Sequence, residues 1–242
     1  YYQSVARLDR GIGRLMQILR EEGKYDDTLV IYVSDNGSAF PESKTTVYEA
    51  GLRLPCIVNS PLHREAKGTV CDGLVNWADL APTILDFAGA DVDPAQFHGA
   101  SFRPILGTAS PSAEEWREEL YASHTFHQIT NYYPMRVVRT RTHKFIWNVA
   151  HPLPYSFASD LWDSATWQGV RRRGLEVFGH RSVDAYLHRP RFELYDLVND
   201  PNETTNLADD PDCAELVETF SRKLRAFQQK TNDPWLHKWE YE

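Results

Sequence analysis

The sequence predicts an α/β domain followed by a smaller α+β domain, and three observations carry that expectation. A helical stretch near the start leads through a short loop into five consecutive apolar or aromatic residues, 29–33, which is half of a βαβ repeat. Short strands follow in the second half of the chain, and after them one helix with an apolar stripe. Between the halves lies a stretch rich in Pro, Gly, Ser and Asp with little periodicity.

In chain order, Val5, Leu8, Ile12, Leu15, Met16 and Leu19 recur at spacings of three and four, which predicts an amphipathic helix stopped by Gly23. Residues 29–33 (LVIYV) read as a strand buried on both faces, with a parallel neighbour expected upstream of Tyr1. Residues 52–58 read as a second strand, with Pro55 tolerated near its start. Residues 75–89 read as a second helix with a Gly stop, Pro82 fitting where a new segment starts after Leu80.

Past the boundary, residues 119–123, 135–140, 144–148 and 192–197 read as strands, the middle two joined by a tight hairpin. Residues 150–190 form a long insertion with many aromatics, among them Tyr155, Phe157, Trp162, Trp167, Phe178 and Tyr186. Leu216, Phe220, Leu224 and Phe227 mark the last helix. The expected organisation is a catalytic-type α/β part at 1–90, a linker at 91–115 and an α+β subdomain at 116–242.

The chain of 242 residues is 42% hydrophobic and 25% charged, ordinary globular material with length for one large or two modest domains. A net charge of -8 argues against a nonspecific nucleic-acid binder. Arg171, Arg172 and Arg173 form a local basic run, suited either to a solvated surface or to an anionic substrate. No stretch approaches the roughly 20 apolar residues that a membrane span needs, so no membrane partner is expected. Residue 1 begins inside a helical pattern without a signal-peptide layout, so the first residues read as the middle of something longer. Cys56, Cys71 and Cys213 are widely spaced and odd in number, forming neither a disulfide framework nor a zinc pattern.

The chemistry-bearing candidates lie just past residues 29–33. Ligands of open α/β sheets bind beyond the carboxyl ends of the strands, where Asp35 and Asn36 emerge. A carboxylate beside an amide carbonyl suits a hard divalent cation, while Asp-Asn-Gly equally suits an ordinary turn. Lys44 sits on the following loop, where a compact cation can donate to an anionic oxygen or simply face solvent.

Three pieces coincide: Ser34-Asp35-Asn36-Gly37, the run KTTVYEAGLRLP from Lys44, and FELYDLVNDPNETTNLA from Phe192. Together they resemble the type I sulfatases of the alkaline phosphatase superfamily. The opening residues, the stretch SHTFHQITNYYPMRVVRT and Thr231-Asn232-Asp233-Pro234-Trp235 are most similar to the sulfamidase (heparan N-sulfatase) subgroup. The resemblance covers essentially the whole chain. It implies the C-terminal part of an alkaline-phosphatase-like mixed sheet with flanking helices, then an α+β subdomain with an antiparallel sheet and a packing helix.

The resemblance also implies calcium as cofactor, with Asp35 and Asn36 as half of its site and the remaining ligands, an aspartate pair and a formylglycine, outside this chain. Lys44 falls where the family places a cation that holds a sulfate oxygen, a position that looks like arginine in the sulfamidase subgroup. Lysine keeps the charge but loses bidentate geometry. His127 falls where the C-terminal subdomain contributes to the substrate pocket, and a hydrogen-bonded structural histidine is the alternative. None of the three cysteines has the Cys-x-Pro-x-Arg or Cys-x-Ala-x-Arg context that formylglycine formation requires, so this chain alone is expected to be inactive.

The implied activity is hydrolysis of a sulfuric ester or sulfamate on sulfated glycosaminoglycan sugars, with N-sulfoglucosamine favoured. An O-sulfatase or phosphoesterase of the superfamily and a noncatalytic glycan-binding fragment are the alternatives. The resemblance leaves room for a homodimer, and for a periplasmic, extracellular or lysosomal location. Asn202-Glu203-Thr204 is a glycosylation sequon where the host glycosylates.

Overall fold

The computed structural model describes every residue except Val92, Thr130 and Glu242. The chain divides into two units, Tyr1–Val33 with Pro55–Trp116, and Ser34–Leu54 with Arg117–Glu242.

In the first unit the expected opening helix is α1, Tyr2–Glu21. Gly23 adopts φ 63° and lets Lys24 N–H donate to the Leu19 carbonyl at 2.7 Å, closing the helix. None of α1's residues is buried, and its apolar stripe is open, with Leu15 63% exposed. Strand β1, Val30–Val33, pairs antiparallel with β2, Cys56–Asn59, Val30 lying opposite Asn59. β1 is half-buried instead of buried on both faces, because within this unit it belongs to a two-stranded sheet. A short α2, Glu49–Leu52, lies between these strands in the chain but belongs to the second unit.

The expected second long helix is shorter and starts later. A 3₁₀ turn at Trp77–Asp79 precedes α3, Leu80–Phe87. Pro82 falls in α3's first turn, where its missing N–H has no helical partner to lose. Asn76 Oδ1 accepts from Ala78 N–H at 2.9 Å, and the Asp79 carboxylate accepts from Asn76 N–H at 2.8 Å.

Residues 91–115, expected as a linker, carry much of this unit's core. Phe102, Ile105 and Trp116 are buried together, with Val58, Val75, Leu80 and Leu106 packed against them. Buried side chains hold this return segment: Asp79 Oδ1 accepts from Ala100 N–H at 2.9 Å, and Thr83 Oγ1 from Phe102 N–H at 3.0 Å. Such polar anchoring leaves no hydrophobic period to read.

The second unit is built on four antiparallel strands, β3 Glu119–His127, β4 Asn131–Thr140, β5 His143–Asn148 and β8 Phe192–Asp196. They lie in the order β3-β4-β5-β8. β4 and β5 form the expected hairpin, with Val137 opposite Ile146. Alternation divides the residues between two cores. Val138, Phe145, Trp147 and Leu194 pack with Phe220 and Leu224 of α7, Ala214–Thr231, the expected packing helix. Tyr133, Met135, Val137 and Ile146 pack with the aromatic insertion, including Tyr155, Phe157, Trp167, Phe178 and Tyr186.

The insertion therefore has structure of its own. It contains α4 Ser159–Trp162, α5 Ala165–Arg173, a β6 Val177–Phe178 and β7 Arg181–Ser182 hairpin, and α6 Val183–Leu187. Arg171, Arg172 and Arg173 form the exposed last turn of α5, where cations complement the helix dipole. A short α8, Lys238–Tyr241, lies at the end of the unit. No helix among the described residues is long and apolar enough to cross a membrane.

Candidate active-site loop

Asp35 and Asn36 follow β1 in the chain and are both exposed. Ser34 Oγ donates to the Asn36 carbonyl at 2.9 Å, and Asn36 Nδ2 donates to the Gly37 carbonyl at 2.7 Å. The amide's donor end is thus used locally, and Oδ1 is the end suited to a cation. The next residue explains the tight path. A Cβ on Gly37 would lie 2.3 Å from Ser43 Oγ, which itself donates to the Ala50 carbonyl at 2.8 Å. Lys44 N–H donates to the Ser38 carbonyl at 3.1 Å, so the loop closes and brings the residue after Asn36 against the residue before Lys44.

One carboxylate and one amide oxygen are hard donors that fit calcium, but they supply two of the six to eight oxygens it takes. No group of three His, Cys, Asp or Glu among the described residues is arranged to hold a metal. The pair fits part of a calcium site.

Lys44 Nζ donates to Asp160 Oδ2 at 2.6 Å, with side-chain exposures of 21% and 47%. The hydrogen bond from Lys44 holds the Asp160 carboxyl below the usual carboxylate range. Thr45 has φ 63° and Glu42 φ 61°, the left-handed region that a β-branched residue such as threonine enters only under constraint. The constraint is visible: Tyr155 Oη donates to the Thr45 carbonyl at 2.7 Å, and Thr45 Oγ1 to the Lys44 carbonyl at 2.6 Å.

His127 ends β3, opposite Asn131, and is half-buried. The turn after it is tied to the insertion, because Gln128 Nε2 donates to Ser159 Oγ at 3.0 Å and Asn131 Nδ2 to the Phe157 carbonyl at 3.0 Å. Residues 155–160 therefore bridge the Lys44 loop and the His127 hairpin. Nearby His124 bonds the Tyr133 carbonyl through Nδ1 at 3.1 Å, so that nitrogen carries the proton. Its Nε2 is buried with no hydrogen-bond partner among the described residues, and burial pushes its pKa down. Asp160, Tyr155 and His124 escaped sequence reasoning. The only signal for the first two was their place in a long aromatic insertion.

The rest of the run from Lys44 serves as an anchor. Glu49 pairs bidentately with Arg139 at 2.9 Å for both bonds and with Lys144 at 2.8 Å, while Lys144 also meets Glu203 at 2.8 Å. Glu203 accepts from Glu49 N–H at 2.5 Å. Burial alone would raise the Glu49 carboxyl, but its Arg139 bonds and the Lys144 charge hold it at about 2. Tyr48 is buried and donates to Glu193 at 2.8 Å. Glu42 is buried against Arg181 and His180.

Residues 1–90 match the sulfatase family model. The chain is 35% identical over 241 residues to human N-sulphoglucosamine sulphohydrolase, covering 97% of this chain and 48% of that protein. It is 28% identical to an N-acetylglucosamine-6-O-sulfatase of Bacteroides thetaiotaomicron, covering 97% of this chain and 36% of that one. Its fold is similar to the solved structure of BT4656 in complex with its substrate D-glucosamine-2-N,6-O-disulfate, with a TM-score of 0.64 and 24% identity over 95% of this chain and 40% of that chain. The chain thus spans about half or less of the length of these relatives. Residues 1–90 thus match the sulfatase family, and nearly the whole chain is similar to about half or less of these sulfatases.

Proposed function

We propose that this chain contributes the second part of the active site of a sulfohydrolase acting on sulfated glycosaminoglycan sugars, with N-sulfoglucosamine as the favoured substrate. The observation that carries the reading is the closed loop in which Gly37 packs on Ser43 and Lys44 N–H bonds the Ser38 carbonyl, with Asn36 and Lys44 at its two ends. The similarity to the human sulphohydrolase supports the substrate class.

In this reading Asp35 and Asn36 hold calcium, Lys44 donates to a sulfuryl oxygen, and His127 lines the sugar pocket. Negative charge builds on the bridging oxygen or nitrogen as the S-O or S-N bond breaks, and a fixed ammonium stabilises the neighbouring anionic group. Calcium held in part by Asp35 and Asn36 would supply Lewis-acid stabilisation there, and the nucleophile would be the formylglycine that the resemblance implies. A periplasmic, extracellular or lysosomal setting follows the same resemblance.

The test is sulfate release by the complete protein from N-sulfated and O-sulfated glucosamine, and phosphate release from phosphate esters, with and without calcium chelation. Chelator-sensitive release from N-sulfoglucosamine is expected. Release from O-sulfated sugar alone would replace the sulfamidase reading with the O-sulfatase one, which the Bacteroides relative favours. Binding of sulfated glycan with no turnover of any ester would leave a noncatalytic role.

A further inference from the structure

We propose that Asp160 positions Lys44 and sets the charge of the site for a singly charged sulfuryl group against a doubly charged phosphoryl group. This rests on the reading that Lys44 holds a sulfuryl oxygen. The two residues are 116 positions apart, yet Nζ and Oδ2 lie 2.6 Å from each other. The carboxylate is not on a wandering side chain. Asp160 Oδ1 accepts from Leu161 N–H at 2.9 Å. Its segment is tied by Tyr155 to Thr45, by Phe157 to Asn131 and by Ser159 to Gln128.

Two consequences follow from this pairing. A lysine ammonium is a point charge with three rotatable donors on a flexible stem. Committing one N–H to Asp160 fixes the head and leaves two for an anionic oxygen, recovering part of the orientation an arginine fork would give. The second consequence is electrostatic. Lys44 and Asp160 together are neutral, so the pair offers hydrogen bonds with little net attraction for excess charge. A sulfate monoester or sulfamate carries one negative charge, whereas a phosphate monoester above its second pKa of about 6 approaches two. The Asp160 carboxylate penalises the second charge. Removing one unit charge about 6 Å away at an effective dielectric near 20 changes the preference by up to about a hundredfold, and solvent around the half-exposed Asp160 carboxylate lowers that toward about tenfold.

The test compares 4-nitrophenyl sulfate turnover by the complete protein with its inhibition by 4-nitrophenyl phosphate, for wild type, Asp160→Asn, Asp160→Glu and Lys44→Ala. Asp160→Asn is expected to tighten phosphate inhibition relative to the sulfate KM by about tenfold or more at pH 8. The gain should shrink as the pH falls through the second pKa of the phosphate ester, below which it is a monoanion, and Asp160→Glu should restore the wild-type ratio. An unchanged ratio in Asp160→Asn, or an equal loss for both esters above and below that pKa, overturns charge selection. Unchanged sulfate turnover in Lys44→Ala overturns instead the reading of Lys44 on which the proposal stands.

Discussion

Gly37 and Ser43 approach so closely that a Cβ on the glycine would lie 2.3 Å from the serine Oγ and 3.1 Å from the Ala50 carbonyl oxygen. Gly37→Ala must therefore push the Lys44 loop away from Asn36. A destabilisation of about 1 to 3 kcal/mol is expected, and under the proposed function the complete protein should lose more sulfate turnover than stability alone explains. Adding Ser43→Ala removes the nearest clashing atom and should recover part of the loss, read by thermal melting and turnover of the double variant.

Asp35 is exposed, so Asp35→Ala should leave the melting temperature within the small range of surface substitutions, about 0.5 kcal/mol. In the complete protein its effect should fall on metal-dependent turnover. Calcium titration of activity checks this, and a variant with unchanged turnover and calcium dependence removes Asp35 from the ligand set.

The Glu49 carboxyl has an ordinary pKa of 4.5 and a folded value of about 2. Because the folded value is depressed, its stabilisation is fully present above about pH 4.5 and is lost as the pH falls toward about 2. Burial shifts Glu203 upward, so that carboxyl opposes part of the effect near neutrality. Glu49→Gln should flatten the acid limb of a stability curve measured by urea melts. It should also cost on the order of 3 kcal/mol at neutral pH, since Lys144 is fully buried and loses a charged partner.

Arg136 binds Asp233 through Nε at 2.5 Å and Nη2 at 3.1 Å, and lies over the Trp235 ring at 4.8 Å. Asp233 follows Asn232, the left-handed residue that closes α7. Arg136→Lys keeps the charge but loses the planar fork, with an expected cost of about 1.5 to 3 kcal/mol. Hydrogen exchange should show the loss concentrated at the end of α7, and a uniform loss across the sheet would contradict it.

Periodicity made the regular elements legible. The spacing from Val5 to Leu19 gave α1, short strand-forming runs gave β5 and parts of β3 and β4, alternation gave β8, and the stripe from Leu216 to Phe227 gave α7. Polar anchoring was invisible to the same reasoning. Ala100 and Phe102 hang from Asp79 and Thr83, so a core segment reads as a linker. At the candidate site, Asp35, Asn36 and Lys44 stood out because their residue types suit cation and anion chemistry near a strand end. Asp160 did not, because a contact across 116 residues leaves no trace in local spacing.

The segment Ser34–Leu54 lies early in the chain but belongs to the unit that holds Arg117–Glu242. Tyr48 fills a place against Glu193, and Glu49 neutralises Lys144. Recombination at residues 91–115 would therefore not exchange whole modules. A C-terminal half grafted onto a related protein would inherit a foreign copy of this loop, and would need Tyr48, Glu49 and Glu42 equivalents there to bury its own charges. A truncated Arg117–Glu242 piece would begin life with Lys144 in its core and the Glu49 carboxylate missing.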